Sequence, residues 1–489
     1  KTMSQEIRNL EPKALWNQFA DLNAVPRPSK KEEQVIQFMK DFGNRLGLET
    51  FEDEIRNVII RKPATPGMEN RKPIVLQGHL DMVHQKNNDT VFDFETQGIE
   101  MYVDGDWVRA KGTTLGADNG LGVAAIMAVL ESTDIPHPAI EALFTIDEET
   151  GMTGALNLQG GILQGQILLN LDTEEDDEID IGCAGGIDVT ATAEYDEEDT
   201  PEGSVGYSIT VKGLQGGHSG MDIHKGLGNA NKIMNRLLFD GFDNFGLQIA
   251  SIAGGSLRNA IPRESVAKVI IAAVYDEAFV FDMQQIVNEI KAEFKTTEPN
   301  LEIVFEKLTE VPAKVMPSIA QFYFVRSMYT AHNGVYRMSA DFDNLVETSN
   351  NIAKVIVGEG QLAVQCLTRS SVESSKMDLA NALRSAFELM GCEVEFSGAY
   401  PGWTPNPKSE ILDVLVGIYE KQNNAKPNVV ACHAGLECGI LGTNYPEMDM
   451  ISFGPTIHGA HSPDERASIS SSQKFWKFFL EILASIPAK

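Results

Sequence analysis

Residues 74–85 read IVLQGHLDMVHQ: an apolar run, Ile74-Val75-Leu76, leads straight into His79, and Asp81 follows at the next same-facing position. In an extended chain alternate side chains share a face, so this histidine and carboxylate stand together where the strand stops. Taken alone, the pair reads as a satisfied strand-end histidine followed by a polar turn. Its neighbours in sequence change that reading. AIEALFTIDEE (139–149) and QILLNLDTEE (166–175) are further buried strands that run into carboxylates, and NVIIRKP (57–63) is another strand. Between them WNQFADLN (16–23), KKEEQVIQFMKDFGNRLG (30–47) and the small-residue stretch DNGLGVAAIMAVLES (118–132) have helical spacing. Alternation of this kind predicts an α/β fold, a mixed sheet with helices on both faces.

The character changes near residue 186. GYSITVKGLQGGHSG (206–220) alternates with period two into a glycine-rich loop, NANKIMNRLLFDGF (229–242) is helical, and residues 247–274 read as two strands joined by a loop. GAYPGWTPNPKS (398–409) has the glycine and proline density of a domain crossing, after which helix-strand-helix patterning returns. The expected organisation is a discontinuous catalytic domain, 1–186 and 399–489, interrupted by an inserted α+β domain, 187–398, in which no clean repeat is visible.

At 489 residues the chain is too long for one ordinary core. Forty basic against seventy acidic residues give a net charge of -30, which argues against nucleic acid or an anionic membrane as partner. Five scattered cysteines without a CxxC pair argue against a disulfide framework or a thiolate zinc site and for a reducing, cytoplasmic home. The opening stretch lacks the apolar core and cleavage site of a secretory signal, and Lys1 and Thr2, ahead of Met3, read as additions to a natural start.

Five places put metal-competent side chains at a strand end or a helix start: His79 with Asp81, Asp118, Asp147-Glu148-Glu149, Asp172, and His458 with His461. In open α/β sheets such positions converge beyond the carboxyl ends of the strands. Any one of them has a bland explanation; Asp118 alone could be a helix cap. Together they offer one histidine and several carboxylates per ion, a donor set that suits zinc, with manganese or cobalt as alternatives. The inventory exceeds one tetrahedral ion, so a two-metal site with a shared carboxylate is the economical arrangement. Adjacent Glu148 and Glu149 can divide labour, one binding metal and the other moving a proton, while Asp81 holds the His79 imidazole from behind.

The phrases GHLDMV, GADNGLGVAA, DEETGMTGA, NLDTEE, GGHSG and HSPDE together resemble the M20 family of co-catalytic zinc peptidases, and GTTLGADNG, CAGGID, LRNAIPRE, GAYPGW, HAGLECG and YPEMDM resemble its dipeptidase branch. The resemblance implies that Asp118 bridges two ions, that His79 and Asp172 complete one and Glu149 and His461 the other, and that the Asp118–Asn119 peptide is cis. It implies Glu148 as general base, with hydroxide generated on the metals, and Asp81 as the residue orienting His79. In the inserted domain, acting as a lid hinged near residues 186 and 398, it implies His218 as oxyanion donor and Asn259 and Arg369 as substrate-binding groups, Arg369 meeting a carboxylate with its two-pronged fork. Without the resemblance, His218 reads equally as a turn histidine and Arg369 as a surface ion pair. HAGLECG resembles a loop near the substrate's amino end, which implies Gly435 and Glu437 as further contacts, although a buried helix start explains both residues as well. The implied activity is hydrolysis of unblocked dipeptides, including the Xaa-His type, by a homodimer joined through the lid; a tripeptidase, aminoacylase or carboxypeptidase of the same family is the alternative.

Overall fold

The computed structural model describes residues 2–87 and 89–489. The chain divides into two compact units, one of residues 1–182, 405–431 and 436–489, the other of residues 183–404 and 432–435. The crossings lie four residues before and six after the boundaries expected from composition, and the short segment 432–435 joins the second unit.

The first unit carries an eight-stranded sheet of β1 (Glu49–Glu52), β2 (Val58–Lys62), β3 (Ile74–His79), β4 (Ile140–Thr145), β5 (Ile167–Asn170), β6 (Glu178–Cys183), β7 (Asn428–Cys432) and β8 (Asp449–Ser452), in the order β1-β2-β4-β3-β5-β8-β6-β7. The central strands β4, β3, β5 and β8 are parallel neighbours, whereas β1–β2, β2–β4 and β8–β6 pair antiparallel. Every residue of β3, β4 and β5 is buried, so both faces of the sheet centre are covered. That is why these strands read as continuous apolar runs and not as alternating ones. Helix Ala117–Glu131 is buried over all but its last residue and packs on β3 and on helix Lys13–Asn23. Its alanines and glycines permit that approach: a Cβ on Gly78 of β3 would lie 2.6 Å from Asn119 Oδ1. A four-stranded sheet of Met101–Asp104, Trp107–Ala110, Arg466–Ser468 and Ile457–His458 ties the C-terminal segment to the N-terminal one.

The second unit is built on one nine-stranded sheet whose long strands, Gly185–Glu194, Val346–Gly358 and Gln361–Ser370, lie side by side. Its Ser265–Ala272 strand alternates buried and exposed residues over its first half, the signature of a sheet with one packed face. Helices Ala230–Phe245, Asp276–Glu293, Ser318–Thr330 and Glu373–Leu389 contribute Leu237, Phe279, Phe324 and Phe387 to its core. Two-stranded pairing of Gly217–His218 with Ala260–Ile261 fixes the base of the GGHSG loop.

Candidate metal centre

Parallel order places the ends of β3, β4 and β5 at one edge of the sheet, and the ligand-type residues follow from it: His79 ends β3, Glu148 and Glu149 come just after β4, and Asp172 just after β5. Asp118 sits in the opening turn of helix Ala117–Glu131 with non-helical φ/ψ, and the peptide after it is cis. His461 has a positive φ of 71° in the loop between Ile457–His458 and Arg466–Ser468.

Asp118 is the hub. Its Oδ1 lies 3.2 Å from His79 Nε2 and its Oδ2 3.1 Å from His461 Nε2. Asp172 Oδ2 is 3.6 Å and Glu148 Oε2 3.5 Å from His79 Nε2, and Glu149 Oε2 is 3.0 Å from His461 Nε2. The ligand atoms of His79, Asp118 and Asp172 form one compact group and those of Asp118, Glu149 and His461 another, with Asp118 shared. Behind His79, the Asp81 carboxylate is 3.3 Å and its carbonyl oxygen 3.0 Å from Nδ1, so the Nδ1 proton points away from the site. Asp81 is itself held by the Ser29 hydroxyl and by the backbone N–H groups of Glu148 and Glu149.

The cluster crowds several acidic side chains around two histidines. Burial raises Glu148 well above the ordinary glutamate range, with Glu149 and Glu437 adding to it. Burial does the same to Asp172, reinforced by Asp118 and Glu148. His461 is pushed up to about 11 by its hydrogen bonds to Asp118 and Glu149. Glu149 Oε1 is buried and has no hydrogen-bond partner among the described residues. Carboxylates crowded around two imidazoles, with one carboxylate oxygen left without a partner, are the pattern of a site whose donors are arranged for divalent ions. The residues fit such a group.

In the second unit, His218 Nδ1 accepts from the N–H groups of Gly220 and Met221, both at 3.0 Å, which leaves its proton on Nε2. Burial and then the Arg369 charge lower its pKa, keeping the ring a neutral N–H donor. Arg369 is 4% exposed and donates to Tyr400 Oη at 3.3 Å and Ser219 Oγ at 3.2 Å, while its Nε has no partner among the described residues. Asn259 is exposed and accepts from the Ser219 N–H through its carbonyl. Gly435 is half-buried, two residues after the buried His433, whose Nε2 is 2.7 Å from Ser349 Oγ.

A sequence profile described as peptidase family M20/M25/M40 matches residues 75–485. The chain belongs to this family. It is 44% identical over 488 residues to the cytosol non-specific dipeptidase of Escherichia coli (strain K12), covering 99% of this chain and 100% of the relative. Among solved structures it matches the aminoacylhistidine dipeptidase from Vibrio alginolyticus at 45% identity, with a TM-score of 0.96 and 99% of both chains covered. The aminopeptidase PepT from Bacillus cereus shares the fold, at a TM-score of 0.56 and 16% identity over 98% of this chain and 99% of that one.

Not every metal-competent side chain of this M20 chain joins the cluster. His458 pairs with Glu175 at 3.0 Å and lies against the Trp107 ring, and the Asp147 carboxylate is taken by the hydroxyls of Thr150 and Thr153. Others gain a part that spacing did not reveal. Glu437 is buried beside Glu148 and Asp172; Gln77 Nε2 donates to its Oε1 at 2.9 Å, and its Oε2 has no partner among the described residues. Glu174, two residues after Asp172, is raised to about 9 by burial and then by Asp118. Glu465, in the same HSPDE phrase as His461, turns its carboxylate to the backbone of Leu115–Asp118. Its place in that phrase was the available signal.

Proposed function

We propose that this chain is a metal-dependent dipeptidase that hydrolyses unblocked dipeptides, β-alanyl-histidine and other Xaa-His peptides among them, with two zinc ions held by His79, Asp118, Asp172, Glu149 and His461. Cobalt or manganese would substitute. The observation that carries this reading is the pair of donor groups sharing Asp118, with the Glu148 carboxylate beside them and outside both. When bound, the metals would lower the pKa of water and polarise the scissile carbonyl. Glu148 takes a proton from the attacking water and returns it to the leaving amine, a role suited to a carboxylate whose pKa burial has raised. The unpartnered Oε2 of Glu437 receives the substrate's ammonium group. This favours a free amino terminus over the blocked one of an N-acyl amino acid. The first unit serves as catalytic domain and the second as lid, with His218 Nε2–H donating to the carbonyl oxygen and Arg369, Asn259 and Gly435 binding the rest of the peptide.

We place the enzyme in the cytoplasm, supported by the E. coli relative and by the scattered cysteines, and expect a homodimer joined through the second unit, which sedimentation at micromolar concentration would test. The functional test is hydrolysis of β-Ala-His, Gly-His and N-acetyl-Gly-His by wild type and Glu148→Ala, each stripped with chelator and restored with zinc. Zinc-dependent cleavage of the two free dipeptides alone, lost in the variant with its metal still bound, is the expected result. Full activity in Glu148→Ala would remove the base, and inert zinc-loaded wild type would remove the dipeptidase reading.

A further inference from the structure

Two buried charges of the first unit lie on one turn and belong to neither donor group. Arg27 is 1% exposed and Glu465 2% exposed. Glu465 Oε1 accepts from the N–H groups of Leu115 at 2.8 Å and Gly116 at 3.0 Å, and its Oε2 accepts from the N–H of Asp118 at 3.1 Å. Arg27 Nη2 donates to the Gly116 carbonyl at 2.8 Å and to Asn23 Oδ1 at 2.7 Å, and its Nη1 donates to the Leu80 carbonyl at 3.2 Å. The carbonyl of Arg27 accepts from the Met82 N–H at 3.0 Å. One charge thus holds the amides of the turn and the other its carbonyl, and each reaches a second ligand-bearing segment. Glu465 lies four positions after His461, and Arg27 grips the backbone on both sides of Asp81. Gly116 is shaped for this contact, with φ at 77° and the place of a Cβ only 2.5 Å from Arg27 Nη2.

We propose that Arg27 and Glu465 are positioning residues of the metal centre: together they clamp the Leu115–Asp118 turn between the His79 and His461 segments, so that Asp118 keeps one oxygen toward His79 and the other toward His461. Burying charge on backbone groups is costly, and apolar filling would stabilise the fold as well or better. Directed acceptors and a rigid donor fork instead set where a backbone lies, which is what a bridging ligand needs. Neither side chain is itself a ligand, because both Glu465 oxygens are occupied by amides.

The inference rests on the metal-centre reading, and the test separates the two. Glu465→Gln keeps the shape but turns an amide N–H₂ against the N–H groups of the turn, and Arg27→Lys keeps the charge but loses the fork. Full-length wild type and variants are stripped, and Co²⁺ and Zn²⁺ affinities are measured by competition with a chromophoric chelator. The visible absorption of the Co²⁺-loaded proteins is recorded alongside, a signature that mere loss of stability leaves unchanged. The expected result is affinity lower by about 10- to 100-fold in Glu465→Gln, with an altered cobalt spectrum and a cooperative melt of the metal-free protein. A folded Glu465→Gln with wild-type affinity and spectrum would overturn the proposal. If it does not fold, Arg27→Lys is read by the same criteria, and failure of both to fold would assign the pair to the fold alone. Wild type that binds no Co²⁺ or Zn²⁺ would sink the metal centre itself.

Discussion

At the residue scale the centre shows how neighbours acquire opposite tasks. Glu149 lies 3.0 Å from His461 Nε2, whereas Glu148, one residue earlier in the same short helical turn, faces His79 and stays outside the shared-Asp118 groups. Replacing Glu148 by Gln should lower kcat by about 10²- to 10⁴-fold with little change in metal content, as steady-state kinetics and metal analysis would show. His433, in the second unit, gives a pH prediction that involves none of the ligand-type residues. Burial and then the Arg369 charge push its pKa down to about 3, so the folded protein refuses a proton that the unfolded chain takes up below about pH 6.5. Its contribution is complete above the unfolded value and is lost as pH falls toward the folded one. Between pH 7 and pH 5 wild type should lose about 2 kcal/mol more stability than His433→Gln, measured by urea denaturation at both pH values. The ligand-type residues were legible because each follows an apolar strand or opens a helix. Arg27 and Glu465 were not, because the backbone groups they hold lie tens to hundreds of residues away, and Glu437 stood out only through the resemblance of its loop.

The elements matter through how closely they approach. Strand β3 and helix Ala117–Glu131 meet at Gly78, and Asn119 then bonds the His79 N–H at 2.9 Å and the Leu171 carbonyl at 2.6 Å. One asparagine therefore joins the ends of β3 and β5 to the turn that carries Asp118. Gly78→Ala should push Asn119 aside, costing about 1–3 kcal/mol and loosening the metal site, which thermal melts and chelator competition would detect together. The parallel order of β4, β3 and β5 is what gathers side chains distant in sequence. The long buried strands and helices were readable from their apolar runs. The Met101–Asp104 and Trp107–Ala110 hairpin and the short helix Glu437–Asn444 carry little periodicity, and tertiary contacts decide them.

For the whole molecule, the first unit concentrates Asp118, Glu148, Asp172 and Glu437 in a buried space around His79. Removing bound metal should leave these carboxylates in mutual repulsion, so chelation should lower the melting temperature and metal should restore it. At free metal about 1,000 times its dissociation constant the gain is about 4 kcal/mol, which calorimetry with and without chelator would report. An unchanged melt would argue that the cluster holds no ion. The α/β pattern, the interruption by a second unit and the inventory of ligand-type side chains followed from sequence alone, because strand periodicity, apolar runs and strand-end chemistry are local properties. The resemblance names Asp118 and His461, but the 3.1 Å approach of His461 to Asp118, the pairing of His458 with Glu175 and the hold of Glu465 and Arg27 on the turn were decided only in the folded chain. Those choices depend on distances between segments hundreds of residues apart, and no local pattern encodes them.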